Sequence, residues 1–193
     1  MQKNVLEYLE ASARRCPDKT AFTDGARSFT YAQLLSCAKG LGTHLARTAP
    51  CLRRPVAVLI GRTAESIAAM QGVLYAGGCY VPIDDHMPEA RMRKIFKQVR
   101  PAAIVFAEAN RAAAELVADC APLIFMEDGF QTEPDEALLA ALRDHVVETL
   151  VDRHLAERLA GRGLAGCLRR RRFDRVVTDL VRAAEEEGDV RPD

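Results

Sequence analysis

The 193-residue chain has no tryptophan, and aromatic residues make up only 6% of it. Lysine is scarce: Lys3, Lys19, Lys39, Lys94 and Lys97 are the full set. Serine stops at Ser66. A phosphate-binding lysine or a nucleophilic serine therefore has no place in the second half of the chain. The charge of either sign is also in no excess, with 27 basic against 27 acidic residues and a formal net charge of zero. No global field steers the chain towards nucleic acid or anionic lipid. No apolar run approaches the roughly 20 residues of a membrane span. The N-terminal stretch MQKNVLEYLEASARRC carries charges where a signal peptide would be apolar. Six cysteines (16, 37, 51, 79, 120 and 167) show no CxxC spacing and none pairs with histidine at zinc-site spacing. The expectation is a reduced, cytoplasmic protein with free thiols packed as small apolar side chains, with neither nucleic acid nor membrane as partner.

Apolar residues make up 49% and charged residues 28%, enough for one domain with a real core, or one domain with a tail. Leu6, Leu9 and Ala13 share one face of a helix over Val5 to Arg15. Asp24-Gly25 reads as a tight turn between short β-prone runs at Thr20 to Thr23 and Ser28 to Thr30. Leu34, Ala38, Leu41 and Leu45 repeat at helical spacing over Tyr31 to Arg47. Thr30 with Gln33 gives that helix a capping box.

The continuous apolar run Pro55 to Ile60 suits a strand buried on both faces. A helix follows over Ala64 to Tyr75, and then a strand over Cys79 to Ile83. The next helix carries Pro88 in its first turn and Met92, Ile95, Phe96 and Val99 inward. Ala102 to Ala107 reads as a third strand, Asn110 to Ala118 as a helix and Leu123 to Met126 as a fourth strand. Alternation of this kind predicts an α/β fold, a parallel sheet with alternating helices joined by right-handed crossovers. From Glu133 the strands stop. Leu138, Leu142, Val146 and Leu150 keep a helical stripe, and Arg-rich segments broken at Gly161, Gly163 and Gly166 follow. The organisation expected is an α/β domain over 1–132 and a mainly helical, Arg-rich tail over 133–193.

Five groups invite a chemical reading. Asp84-Asp85-His86 has metal-ligand chemistry, but successive residues on an extended chain face opposite ways, so convergence requires a special turn. Gly77-Gly78 lies between a helix and a strand, the reverse of a phosphate loop, and reads as a helix C-cap. Gly61-Arg62-Thr63 does lie between a strand and a helix, where open α/β sheets meet ligands, but a lone glycine is weak support. His145 and His154 are nine apart, too far for a helical metal pair. Arg169 to Arg172 stand in a segment from Val151 with ten arginines against nine acidic residues, which fits a solvated face better than a nucleic-acid site. No catalytic, cofactor-binding or metal-ligating residue is assigned.

Two stretches carry a resemblance. FTYAQLL (Phe29 to Leu35) and YAGGCYVPIDDHMPEARMRKIF (Tyr75 to Phe96) resemble the first and second core motifs of adenylation domains. Gly77, Tyr80, Val81, Pro82, Ile83, Asp84, Pro88 and Arg91 match the second, while Asp85 replaces its usual proline. CPDKTAF before the first motif and RPAAIVF after the second fit in order and spacing. The chain thus resembles the N-terminal part of an AMP-forming adenylate ligase, and most of all the amino-acid-activating domains of nonribosomal peptide synthetases. The resemblance covers roughly residues 3 to 126 and fades by about 149.

Membership of this kind implies joining a carboxylate to AMP with Mg-ATP and passing the acyl group to a carrier thiol. Such chemistry needs a Ser/Thr/Gly-rich loop with a lysine around the triphosphate, an acid on the ribose and a lysine on a C-terminal lid. The loop should fall near Ala137 to Val147, where the sequence instead leads into ETLVDRHLAERLAGRGLAGCLRRRRFDRV. The resemblance therefore implies a truncated or frame-disrupted adenylation domain, inactive alone, with an unrelated helical tail after about Thr149 and no Mg-ATP site of its own. Its partners would be the remaining adenylation subdomains or a carrier protein. The alternatives are a non-catalytic interaction module and one half of a split enzyme. The amino-acid substrate is not legible.

Overall fold

The computed structural model describes residues 5–25, 27–61 and 63–142. The Arg-rich segment, Val146, Leu150, His145, His154, Arg62 and Arg169 to Arg172 lie outside the described residues.

Helix α1 (Val5–Arg15) buries Leu6, Leu9 and Ala13 on one face, as its periodicity requires. Strands β1 (Thr20–Thr23) and β2 (Ser28–Thr30) form an antiparallel hairpin. Helix α2 (Tyr31–Thr48) opens with the full capping box: Gln33 N donates to Thr30 Oγ1 at 3.2 Å and Thr30 N donates to Gln33 Oε1 at 3.0 Å.

The second half of the unit is a four-stranded parallel sheet in the order β4-β3-β5-β6. Its strands are β3 (Pro55–Ile60), β4 (Cys79–Asp84), β5 (Ile104–Phe106) and β6 (Leu123–Phe125). Between them run α3 (Ala64–Tyr75), α4 (Glu89–Val99) and α5 (Arg111–Glu115), and α6 (Met126–Phe130) follows β6. Val56, Val58, Val105 and Ile124 face a core shared with Leu41, Leu45, Ala69 and Val73 of α2 and α3. Ala57, Leu59, Ile83, Ile104 and Phe106 face the opposite core with Met92 and Phe96 of α4, Ala114 of α5 and Val117 just after it. Side chains alternate across each strand, and both faces are covered, which is why the strands read as unbroken apolar runs. Helix α3 lies on one face and moves the chain one way along the sheet. Helices α4 and α5 lie on the other face and move it back, as crossovers of a single hand require.

Helix α3 ends in a turn that uses both glycines. Gly78 N donates to Val73 O and Gly77 N to Leu74 O, each at 3.0 Å, the paired bonds of a Schellman motif. Gly77 has φ +74°, a conformation that costs glycine nothing. On β4, Cys79 N bonds Arg54 O and Asp85 N bonds Ile60 O, so alternate residues turn towards β3. Pro82 falls at a position turned away, where its missing N–H removes no ladder bond and suits an edge strand.

Four local expectations differ from the structure. The strand over Ala102 to Ala107 pairs only at Ile104–Phe106, although all six residues are buried. The helix over Asn110 to Ala118 is a 3-10 turn (Glu108–Asn110) and then five residues of α-helix. Here the Asn110 side chain is spent across the sheet end and not on a helix cap. Met126 starts α6, and its five residues are too few for a helical period to show in sequence. Pro88 stands one residue before α4, at its N-cap. Residues just after 132 touch α2: Lys39 pairs with Glu136, and Arg47 with Asp135.

Leu41 is fully buried where α2 meets α3 and α6. Leu41→Ala should lower stability by about 3 kcal/mol in urea unfolding, the ordinary cost of a core leucine and its cavity.

Candidate functional site

An open parallel sheet meets its ligands outside the carboxyl ends of its strands, at the point where the winding reverses. Here that point lies between β3 and β5.

Gly61 leaves β3, and Thr63 caps α3 through its side chain, accepting from Ser66 N at 3.4 Å. The Ser66 hydroxyl returns to Gly61 O at 3.3 Å. The first-turn amide of Ala64 donates to Asp24 Oδ2 at 2.9 Å. Asp24 comes from the distant hairpin, whose Arg27 also pairs with Glu65. A carboxylate of the chain itself thus occupies the positive end of α3, where an anion would otherwise sit. The Gly61-Arg62-Thr63 loop accordingly leads into an N-terminus whose amides at Ala64 and Ser66 are already committed.

The reversal point is filled as well. Asn110 is 5% exposed, donates from Nδ2 to Leu59 O at 3.0 Å and accepts from Ala107 N at 2.8 Å. One amide side chain thereby bridges the ends of β3 and β5. Sequence reasoning passed over Asn110. The available signal was an asparagine between a strand end and a helix start, a position that favours side-chain bonding to the main chain.

After β4 the expected divergence of Asp84, Asp85 and His86 does not occur. His86 N donates to Asp84 Oδ1 at 2.9 Å, forming the tight turn that convergence required. His86 Nδ1 stands 2.6 Å from Asp85 Oδ1 and 3.5 Å from Asp84 Oδ1. One ligand atom from each of the three lies within 4.8 Å of the others. Asp85 Oδ1 is shut off from solvent, and its contact with His86 is a true hydrogen bond only when Nδ1 carries the proton. All three donors sit on one loop, and His86 is 90% exposed. Such a set fits a hydrated surface cation better than the closed four-ligand shell of a structural metal.

Burial holds three thiols in the protonated form at neutral pH. Burial pushes Cys51 and Cys79 up to about 11, and it also raises Cys37. Among the described residues, no Ser/Thr/Gly-rich loop with a lysine follows β6; residues 136–142 are helical.

With this geometry in hand, comparison with known proteins places the chain. The profile described as AMP-binding enzyme matches residues 9–159, most of its length. The chain belongs to the AMP-binding enzyme family. This family member is 40% identical over 93 residues to a plipastatin synthase polypeptide of Bacillus subtilis, a stretch that is 48% of this chain and 3% of that protein. It is 32% identical over 105 residues to the D-alanine–D-alanyl carrier protein ligase of Lactiplantibacillus plantarum, covering 54% of this chain and 21% of the ligase. Among solved structures it is similar to the nonribosomal peptide synthetase FmoA3 in an α-methyl-L-serine-AMP bound form. The TM-score is 0.59 at 28% identity, over 66% of this chain and 14% of that one. The chain therefore spans about a fifth or less of these relatives, and what it aligns with is the N-terminal part of the adenylating domain. No helix among the described residues is long and apolar enough to cross a membrane.

Two outcomes follow from the site. Asn110→Ala strands the Ala107 N–H and the Leu59 carbonyl, so urea unfolding should show a loss of about 1–3 kcal/mol. The raised thiols favour the folded state fully below about pH 9 and lose that contribution as pH rises towards about 11. Alkaline titration of stability should therefore show a drop in that window. It should shrink in Cys51→Ala and Cys79→Ala, and native iodoacetamide labelling at pH 8 should spare both thiols.

Proposed function

We propose that this chain is part of an amino-acid-activating adenylation domain of nonribosomal peptide synthesis, supplying scaffold and no catalytic group, and inactive on its own. The observation that carries this reading is the stretch from Tyr75 to Arg91. Eight of its residues match an adenylation motif, and most of them are spent on architecture: Gly77 helps to close α3, Tyr80 to Ile83 lie in the edge strand, and Pro88 opens α4. Aminoacyl-AMP bound to a similar structure, and the synthetase names among the relatives, support the amino-acid substrate class.

On this reading Mg-ATP is cradled outside the described residues. The Ala64 and Ser66 amides at α3 are taken by Asp24 and Thr63, and the sequence holds no lysine beyond Lys97. The triphosphate, the ribose and the carboxylate would be held by the rest of such a domain, which would be this chain's working partner. A carrier protein would take the acyl group afterwards.

ATP–pyrophosphate exchange with Mg2+ and each proteinogenic amino acid tests the proposal. The isolated chain should give no exchange above blank. Exchange by the chain alone would overturn it. Exchange that appears only when a second polypeptide bearing the phosphate loop and lid is added would assign the chain as half of a split enzyme.

A further inference from the structure

Residues 131–138 cross the outer side of α2 between two apolar anchors. Phe130 packs against the cores on the α2 face, and Leu139 is 3% exposed in the core shared by α1, α2 and α3. Between these anchors the attachments are polar. Thr132 Oγ1 meets His44 Nδ1 at 3.4 Å. Asp135 N donates to Oγ1 of fully buried Thr43 at 3.0 Å. Arg47 donates to Asp135 Oδ2, and Lys39 to both Glu136 oxygens, each at 2.8 Å. Asp135 Oδ1 accepts from Leu138 N at 3.0 Å and so caps the helical segment that begins at 136.

The segment stands off the helices below it. A groove of about 320 Å3 separates it from α1 and α2, lined by Arg14, Ser36, Lys39, Pro134 and Glu136 among others. At the start of the crossing the contact is instead very close. A Cβ on Gly40 would lie 2.7 Å from Gly129 O and Thr132 O, so only glycine lets the chain pass there.

We propose that residues 131–138 form a strap latched to α2 through Asp135, which acid or salt releases while the sheet stays folded. Asp135 joins all the parts: its N–H holds Thr43, one carboxylate oxygen holds the helix start and the other holds Arg47. Arg47 of α2 pairs with it; on the strap beside it Thr132 meets His44, Glu136 pairs with Lys39, and Arg14 of α1 lines the groove with Pro134 and Glu136. Loss of the Asp135 charge removes the ion pair with Arg47 and weakens the cap on the Leu138 amide. The Leu138 amide, and after it Arg47, keep the Asp135 carboxyl below its usual range. The sign follows: the latch is intact above the ordinary aspartate value of about 4 and fails as pH falls through the lower folded value. Screening weakens the exposed Arg47 and Lys39 pairs in the same direction. The strap is a property of this chain whether or not it takes part in adenylation.

Hydrogen exchange of the full chain, corrected for intrinsic rates, tests the latch by comparing residues 131–142 with β3. Asp135→Ala should speed exchange at Leu138 and Leu139 about five- to tenfold, the scale of a lost helix cap, with β3 unchanged. Asp135→Asn keeps a capping oxygen and should recover part of that protection, but not its loss on adding salt. The parent chain in about 1 M NaCl should show the same selective loss, so the test needs no variant to fold. Strap and β3 amides opening together under salt or acid would overturn the proposal, and so would an Asp135→Ala strap as protected as the parent's.

Discussion

Strand β3 is bonded on both sides and covered on both faces, like the shorter β5, and the positions that frame the strand ends are registered on it. Its six residues pair one-to-one with β4 from Pro55–Cys79 to Ile60–Asp84, and Ala57 and Val58 fix β5. Leu59 O then has no strand partner beyond the end of β5, and Asn110 supplies the missing donor. A polar group stranded at a dry sheet end costs about 1–3 kcal/mol, so the short β5 and the buried asparagine are two parts of one solution. A longer β5 would pair Leu59 itself and leave Asn110 nothing to bond.

The sheet and its helices were legible because their signals are local. Pro55 to Ile60 is a run of apolar residues, and only a strand buried on both faces tolerates it. Thr30 and Gln33 announce α2 because both capping bonds span three residues. Gly77-Gly78 announces the end of α3 because a left-handed residue is needed there. What stayed illegible joins distant residues. Asp24 caps α3 from 40 positions away. The turn at Asp84 to His86 overrides the alternation of an extended chain, because the Asp84 side chain captures the His86 amide. Five-residue α6 is held by α2 and by Leu41, with no periodicity of its own to read.

Asp85 stands where the resembled motif has proline, and the structure shows why both are tolerated. Its N–H reaches Ile60 O at 3.4 Å, the long limit of a hydrogen bond, so a proline there gives up little. Aspartate instead adds a carboxylate that turns towards Gly61 and pairs with His86. The substitution changes the charge at the end of β4 without disturbing the edge strand that carries the motif.

Two of the four strands end in arrangements where such sheets commonly engage ligands, and at each the chain has already supplied the partner. Asp24 stands in for an anion at α3 after β3. Asn110 fills the reversal point after β5. Phosphate or nucleotide binding at either of them would have to displace an internal bond about as strong as the one it formed. A sheet end satisfied in this way favours its own folding over ligand capture. Such a sheet suits the scaffold role proposed for this chain.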